Sequence, residues 1–209
     1  MIASFLLVGQ HPQYIGKVVA HLKVHDCPIV QMSDLHTPKV EGVDEVIRLP
    51  FRIPLMPYRL KHLASFPHTD LLIIDTDVIA MAPVDEVWAQ PFDVALTKRD
   101  HSLHDGAVSL DMPYNTGVMF SRSQAFWQEG YEWLMSQSAE RQRWYGDQLA
   151  VAEVAKRGTC KVLDLPCDDY NWSPNSRSDT SNAKFWHYKG AIRKKWIYEH
   201  RDDSDICRV

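Results

Sequence analysis

Leu71-Leu72-Ile73-Ile74-Asp75-Thr76-Asp77-Val78-Ile79 decides how the rest of the sequence is read. A short unbroken apolar run is the pattern of a strand buried on both faces, as in the middle of a covered sheet. The run meets two carboxylates one residue apart. Side chains alternate along a strand, so Asp75 and Asp77 face the same way if extension continues. A bend at the strand end would aim both at one point. Two anions that close repel each other and call for a cation between them. Hard oxygen ligands suit Mg²⁺ or Mn²⁺, which can be shared with the phosphates of a nucleotide. The plainer reading also stands at this point: Asp is favoured where strands end, and the pair can simply open a turn.

The 209 residues suffice for one compact domain with a substantial core. A formal charge of -4 argues against general nucleic-acid binding, which shows as a basic excess. No apolar run has the length of a transmembrane segment. Met1 to Gly9 lacks a basic start and reads as a first strand rather than a signal peptide. Cys27, Cys160, Cys167 and Cys207 are scattered without a C-x-x-C pair, which points to a reduced, cytoplasmic setting and away from zinc.

Around the central run, strands are expected at Ser4–Gly9, Cys27–Met32, Val43–Leu49, Phe92–Leu96, Tyr114–Phe120, Lys161–Leu165 and Phe185–Tyr188. Helices are expected at Gln13–His25, Pro54–Phe66, Val84–Trp88, Ser123–Met135 and Gln148–Arg157. In the fourth of these, Trp127, Tyr131, Leu134 and Met135 form the inner side. The early strand–helix–strand rhythm predicts a parallel sheet with covering helices, whose ligands bind beyond the carboxyl ends of the strands. Asp34, just past the second strand, is placed there to meet a ribose or base, or else to open a turn. Gly117 permits close backbone approach. Asp147 is a natural N-cap for the last helix. Thr97–Leu110 and Asn175–Asn182 lack periodicity and read as loops, and the tail from Glu199 as frayed. His101, His104 and Asp105 read as solvated loop residues.

Six short motifs follow one another: Tyr58-Arg59-Leu60, Ile73-Ile74-Asp75-Thr76-Asp77-Val78, Tyr114-Asn115-Thr116-Gly117-Val118-Met119, Gly146-Asp147-Gln148, Tyr170-Asn171 and His187-Tyr188-Lys189-Gly190. In this order they resemble the nucleotide-sugar-dependent glycosyltransferases of the GT-A fold, closest to glycosyltransferase family 8. The resemblance implies an α/β, GT-A-like, mostly parallel central sheet with helices on both faces, in one domain over residues 1–209. Residues 1–100 would be the nucleotide-binding half and 101–200 the half for donor sugar and acceptor. It implies that Asp75, Asp77 and His187 bind Mn²⁺ (or Mg²⁺), which bridges the diphosphate of a nucleotide sugar, UDP-linked by expectation. Arg59 would sit against the sugar and diphosphate, with Asn115 and Gly117 beside the donor sugar and acceptor. Asp147 and Gln148 would face the sugar, Gln148 near its anomeric carbon. The family pattern His-x-x-Gly-x-x-Lys-Pro-Trp is not reproduced cleanly after Gly190: Arg193 holds the Lys place, Pro is absent and Trp196 comes one residue late. The diphosphate clamp is therefore open among Arg193, Lys194 and Lys195. So is the acceptor, among a saccharide, a lipid-linked glycan, a protein and a modified nucleobase.

Two competing readings share these residues. An apolar strand with Asp-x-Asp also resembles the haloacid dehalogenase-type phosphatases, with Asp75 as nucleophile, Asp77 as acid/base, and Lys156 with Asp168-Asp169 completing an Mg²⁺ site. That motif usually lies near the amino terminus, whereas here a full strand–helix–strand unit precedes it. The other reading is a sugar-nucleotide-binding module without turnover, because a fold alone does not settle activity.

Overall fold

The computed structural model describes residues 1–99 and 111–198. Strands β1 (Ile2–Leu6), β2 (Ile29–Ser33), β3 (Glu45–Arg48) and β4 (Leu71–Ile74) run parallel to one another, with helix α1 (Ile15–Leu22) after β1 and α2 (Leu55–Ala64) before β4. Then follow β5 (Val78–Ala80), α3 (Asp85–Trp88), β6 (Val94–Lys98), β7 (Tyr114–Ser121), α4 (Gln124–Met135), α5 (Gly146–Arg157), β8 (Val162–Pro166), α6 (Cys167–Tyr170), β9 (Phe185–His187) and α7 (Gly190–Lys194). Seven strands form the main sheet in the order β3-β2-β1-β4-β7-β6-β8. Only β7 runs against its neighbours, so the sheet is mostly parallel as expected.

β4 shows why the apolar run is buried on both faces. Leu72 and Ile74 pack with Phe5, Val18, Leu22 and Phe120 on one side of the sheet. Leu71 and Ile73 pack with Leu60, Leu63, Trp127 and Val151 on the other. Each such Leu or Ile contributes about 1.5–3 kcal/mol relative to exposure. α1 buries Ile15, Val18, Val19 and Leu22, the i, i+3, i+4, i+7 stripe of a helix laid on a sheet.

Three expectations need correction. The central run is two strands: β4 stops at Ile74, Asp75-Thr76-Asp77 turns, and Val78–Ala80 forms β5, which pairs antiparallel with β9 in a separate two-stranded sheet. Asp147 is not the N-cap of α5, which begins one residue earlier behind Tyr145 at φ 69°. On α4 Trp127 and Leu134 are buried, but Met135 is 38% exposed because it falls past the buried stripe of Phe126, Trp127, Gly130 and Leu134. The first two residues of the expected 97–110 loop belong to β6. The remainder from residue 100, with His101, His104 and Asp105, lies outside the described residues, as does the tail from Glu199. No helix among the described residues is long and apolar enough to cross a membrane.

Candidate functional site

The pairing of β5 with β9 builds the centre of the site. Val78 lies opposite His187, so the imidazole arrives beside Asp77, the residue just before Val78. Tyr188 N–H donates to Asp77 O at 2.9 Å and secures the same junction. His187 Nε2 lies 3.2 Å from Asp77 Oδ1 and 3.8 Å from Asp75 Oδ2. One ligand atom from each of Asp75, Asp77 and His187 lies within 4.8 Å of the others. Two carboxylates and one imidazole in this space suit a divalent cation of the Mg²⁺–Mn²⁺ kind.

The far side of His187 fixes which nitrogen faces the acids. Asn171 Nδ2 donates to Thr97 Oγ1 at 2.8 Å, which turns Asn171 Oδ1 toward His187 Nδ1, also at 2.8 Å. Thr97 Oγ1 in turn donates to Asn115 O at 2.7 Å. Nδ1 therefore carries the proton in the neutral ring, and Nε2 keeps its lone pair for a metal. Gly117 is required here by space. A Cβ on it would overlap His187 Cε1 and Nδ1, and Gly117 O accepts Asp75 N–H at 2.9 Å.

A second group stands on the main sheet and its helices. Arg59 of α2 is 6% exposed and reaches Asp75 Oδ1 at 2.8 Å, Asp147 Oδ2 at 2.8 Å and Thr116 O at 2.9 Å. Thr116 Oγ1 also donates to Asp147 Oδ2 at 3.1 Å, and Asp147 Oδ1 accepts Gln148 N–H at 2.9 Å. Burial explains why Asp147 fails as a cap: its carboxylate turns inward to the guanidinium.

The two carboxyls beside His187 are pushed in opposite directions. Burial raises Asp75 above the ordinary carboxylate range against the pull of Arg59 and His187. Burial opposes ionisation of Asp77 too, but His187 and Lys194 together hold it well below that range. Sites tuned to chemistry commonly separate paired carboxylates in this way.

The remaining sequence candidates divide. Asn115 is 4% exposed, gives Oδ1 to Gly117 N–H at 3.1 Å, and has a buried Nδ2 without a hydrogen-bond partner. Such a donor invites a ligand oxygen. Gln148 lies in the first turn of α5 beside Asp147. Of the three late basic residues, Lys194 enters the site, with Nζ 3.0 Å from Asp77 Oδ2. Arg193 reaches Asn175 Oδ1 at 3.3 Å instead, and Lys195 is exposed. Gly190 begins α7 at φ 80°, a left-handed turn that carries the chain from His187 toward Lys194. Asp34 does what a turn-opening Asp does: Oδ1 accepts the His36 and Thr37 N–H groups at 3.0 and 2.6 Å. Asn171 and Thr116 lie inside two of the six motifs but were given no role of their own from sequence, and Thr97 was read only as the first residue of a loop.

The phosphatase set does not assemble. Lys156 is exposed near the carboxyl end of α5, about 13 Å along the helix from Asp147. Asp168 and Asp169 are exposed and are not among the residues gathered around Asp75 and Asp77.

Comparison with solved structures gives the same architecture. Galactosyltransferase LgtC, solved with donor and acceptor sugar analogues, matches at TM-score 0.59 and 12% identity, over 95% of this chain and 96% of that one. An active-site glutamine-to-glutamate mutant of LgtC matches at 0.60 and 12% identity, over 95% and 94%. A glycosyltransferase involved in glycosylation of the major capsid of PBCV-1 matches at 0.63 and 15% identity, over 95% and 98%. In sequence searches, no protein family and no curated protein matches the chain. The chain has the GT-A fold of these enzymes.

Proposed function

We propose that this protein is a metal-dependent glycosyltransferase that moves a sugar from a nucleotide-diphosphate sugar, UDP-linked in the leading reading, to a separate acceptor. The observation that carries this reading is the meeting of Asp75, Asp77 and His187 from opposite ends of the chain, flanked by Arg59 and Lys194. The shared fold supports the same reading, since LgtC is described in complex with donor and acceptor sugar analogues.

Asp75, Asp77 and His187 are the metal ligands in this reading, and the mixed oxygen–nitrogen set favours Mn²⁺ over Mg²⁺. The bound cation would supply positive charge to the diphosphate as it departs from the sugar. Of the three late basic candidates Lys194 is the one that reaches Asp77, so in this reading it releases Asp77 and turns to the diphosphate as the clamp. Arg59 holds Asp75 and Asp147 in place and adds fixed charge on the sugar side. Asn115 offers its unpartnered N–H to a sugar oxygen. Asp147 is occupied by Arg59 and Thr116, which leaves it an orienting and electrostatic role rather than a nucleophilic one. Gln148, neutral and beside it, faces the anomeric carbon. A cytoplasmic setting is kept for the protein, in line with its dispersed cysteines.

The test is thermal unfolding with Mn²⁺ and a panel of UDP- and GDP-sugars, because a ligand of the folded state raises Tm. A Tm rise requiring metal and one nucleotide sugar together is expected, with hydrolysis of that sugar donor. Asp77→Asn, His187→Ala and Gly117→Ala should each abolish it. No shift and no hydrolysis with any sugar donor would end the proposal, and a shift without hydrolysis would reduce it to a binding module.

A further inference from the structure

Arg99 lies one residue beyond β6 and is 9% exposed. Its backbone N–H donates to Pro113 O at 2.9 Å, and its Nη1 donates to Met112 O and Tyr114 O, each at 2.6 Å. One guanidinium thus ties together the chain on both flanks of residues 100–110. Its Nη2 donates to Gln148 Oε1 at 2.6 Å.

We propose that Arg99 is a positioning residue that fixes the side-chain amide of Gln148, so that Gln148 meets the sugar donor through its N–H groups and not as an oxygen nucleophile. This rests on the glycosyltransferase reading. A carboxamide has two edges of nearly equal shape, one accepting and one donating. A guanidinium has donors only, so it takes the carbonyl oxygen and turns the NH₂ edge the other way. Charge-assisted bonds of this kind are short and strong, and the Arg99 side chain is anchored by two backbone carbonyls before it meets Gln148. Withdrawal of electron density by the cation makes Oε1 a poor nucleophile. The NH₂ edge suits contact with a sugar hydroxyl or a phosphate oxygen. The same link makes the conformation of the chain around residues 99 and 112–114 a determinant of how Gln148 is presented.

The test is a double-mutant cycle of Arg99→Met and Gln148→Glu, read by Tm and by Mn²⁺-dependent hydrolysis of UDP-glucose and UDP-galactose. In the parent background the introduced carboxylate pairs with Arg99, and in the Arg99→Met background it does not. The two Tm shifts caused by Gln148→Glu should therefore differ by roughly 3 °C or more. Arg99→Met should lower kcat about tenfold with KM for the nucleotide sugar changed less than about twofold, and Arg99→Lys should restore part of kcat. A merely structural Arg99 would lower Tm without coupling to position 148. Additive Tm shifts, or unchanged kcat in Arg99→Met, would overturn the proposal. If Arg99→Met does not fold, the same cycle is run with Arg99→Lys and Gln148→Leu, and additivity there overturns it equally. If the parent hydrolyses no nucleotide sugar of the UDP- and GDP-sugar panel, the glycosyltransferase reading is what fails, and the Tm cycle still decides whether Arg99 holds Gln148.

Discussion

The site has two halves of different construction. One half, Arg59, Asp75, Thr116 and Asp147, stands on α2, β4, β7 and α5, whose apolar faces form the core on both sides of the main sheet. The other half, His187 and Lys194, rides on a three-residue strand and a five-residue helix. The first half is held by the ion pairs and hydrogen bonds that converge on the buried Arg59 and Asp147. The second is held by the β5 pairing, the Asn171 hydrogen bond and the contacts of Asp77. The contrast teaches that the well-packed scaffold carries the orienting groups. Under the proposed function, the groups that would change partner on metal binding sit on the lighter element, where movement costs less.

The comparison can be broken most directly at Arg59. Arg59→Met leaves Asp147 as an uncompensated buried charge and strips the half-buried Asp75 of its cation, and denaturant unfolding should show a loss of about 3–5 kcal/mol. A loss below about 1 kcal/mol would mean that the first half is no more strongly built than the second.

Acid should act on the same half next. His62, on α2 with Arg59, is fully buried and packs edge-on to Tyr58, and burial lowers its pKa from the usual 6.5 to about 4. The folded state thus favours the neutral ring. Its contribution is complete above pH 6.5 and is lost as pH falls toward 4, a span worth roughly 3 kcal/mol. His62→Gln should flatten that part of the stability–pH curve. An unchanged slope would remove His62 from the account.

The second half answers to smaller changes. Asn171→Leu removes the group that orients His187, and Mn²⁺ affinity, read by the metal-dependent Tm rise or by calorimetry, should fall about 10–100-fold. Stability without metal should change far less than in Arg59→Met. Lys194→Ala should weaken binding of a UDP-sugar about tenfold, whereas Arg193→Ala should change it less than about twofold. The reverse order would place the clamp at Arg193.

Much of the first half was legible because local rules and global packing agree there. The apolar run ending at Asp75, the Pro-bounded helix around Arg59 and the glycine at 117 are strong local signals. Where they conflict, the structure follows packing. Val78–Ala80 continues the hydrophobicity of β4 without a break, so its separation into β5 is invisible until β9 is placed beside it. Asp147 satisfies the local rule for a cap, yet its carboxylate goes to a cation 88 positions earlier in the chain. Asn171, Thr97 and Arg99 act through partners distant in sequence, and Thr97 and Arg99 lie in a polar segment without periodicity. Among Arg193, Lys194 and Lys195, sequence spacing favoured none, whereas the turn at Gly190 brings Lys194 to Asp77.

The opposition of Val78 and His187 also has a consequence for synthesis on the ribosome. The main sheet can be nearly assembled, with both aspartates presented, while the segment bearing the imidazole is still inside the exit tunnel. In the proposed metal site such a nascent chain would offer two oxygens and no nitrogen, so tight capture would wait for β9 to pair with β5. A chain halted short of β9 would therefore lack the nitrogen ligand of that proposed site.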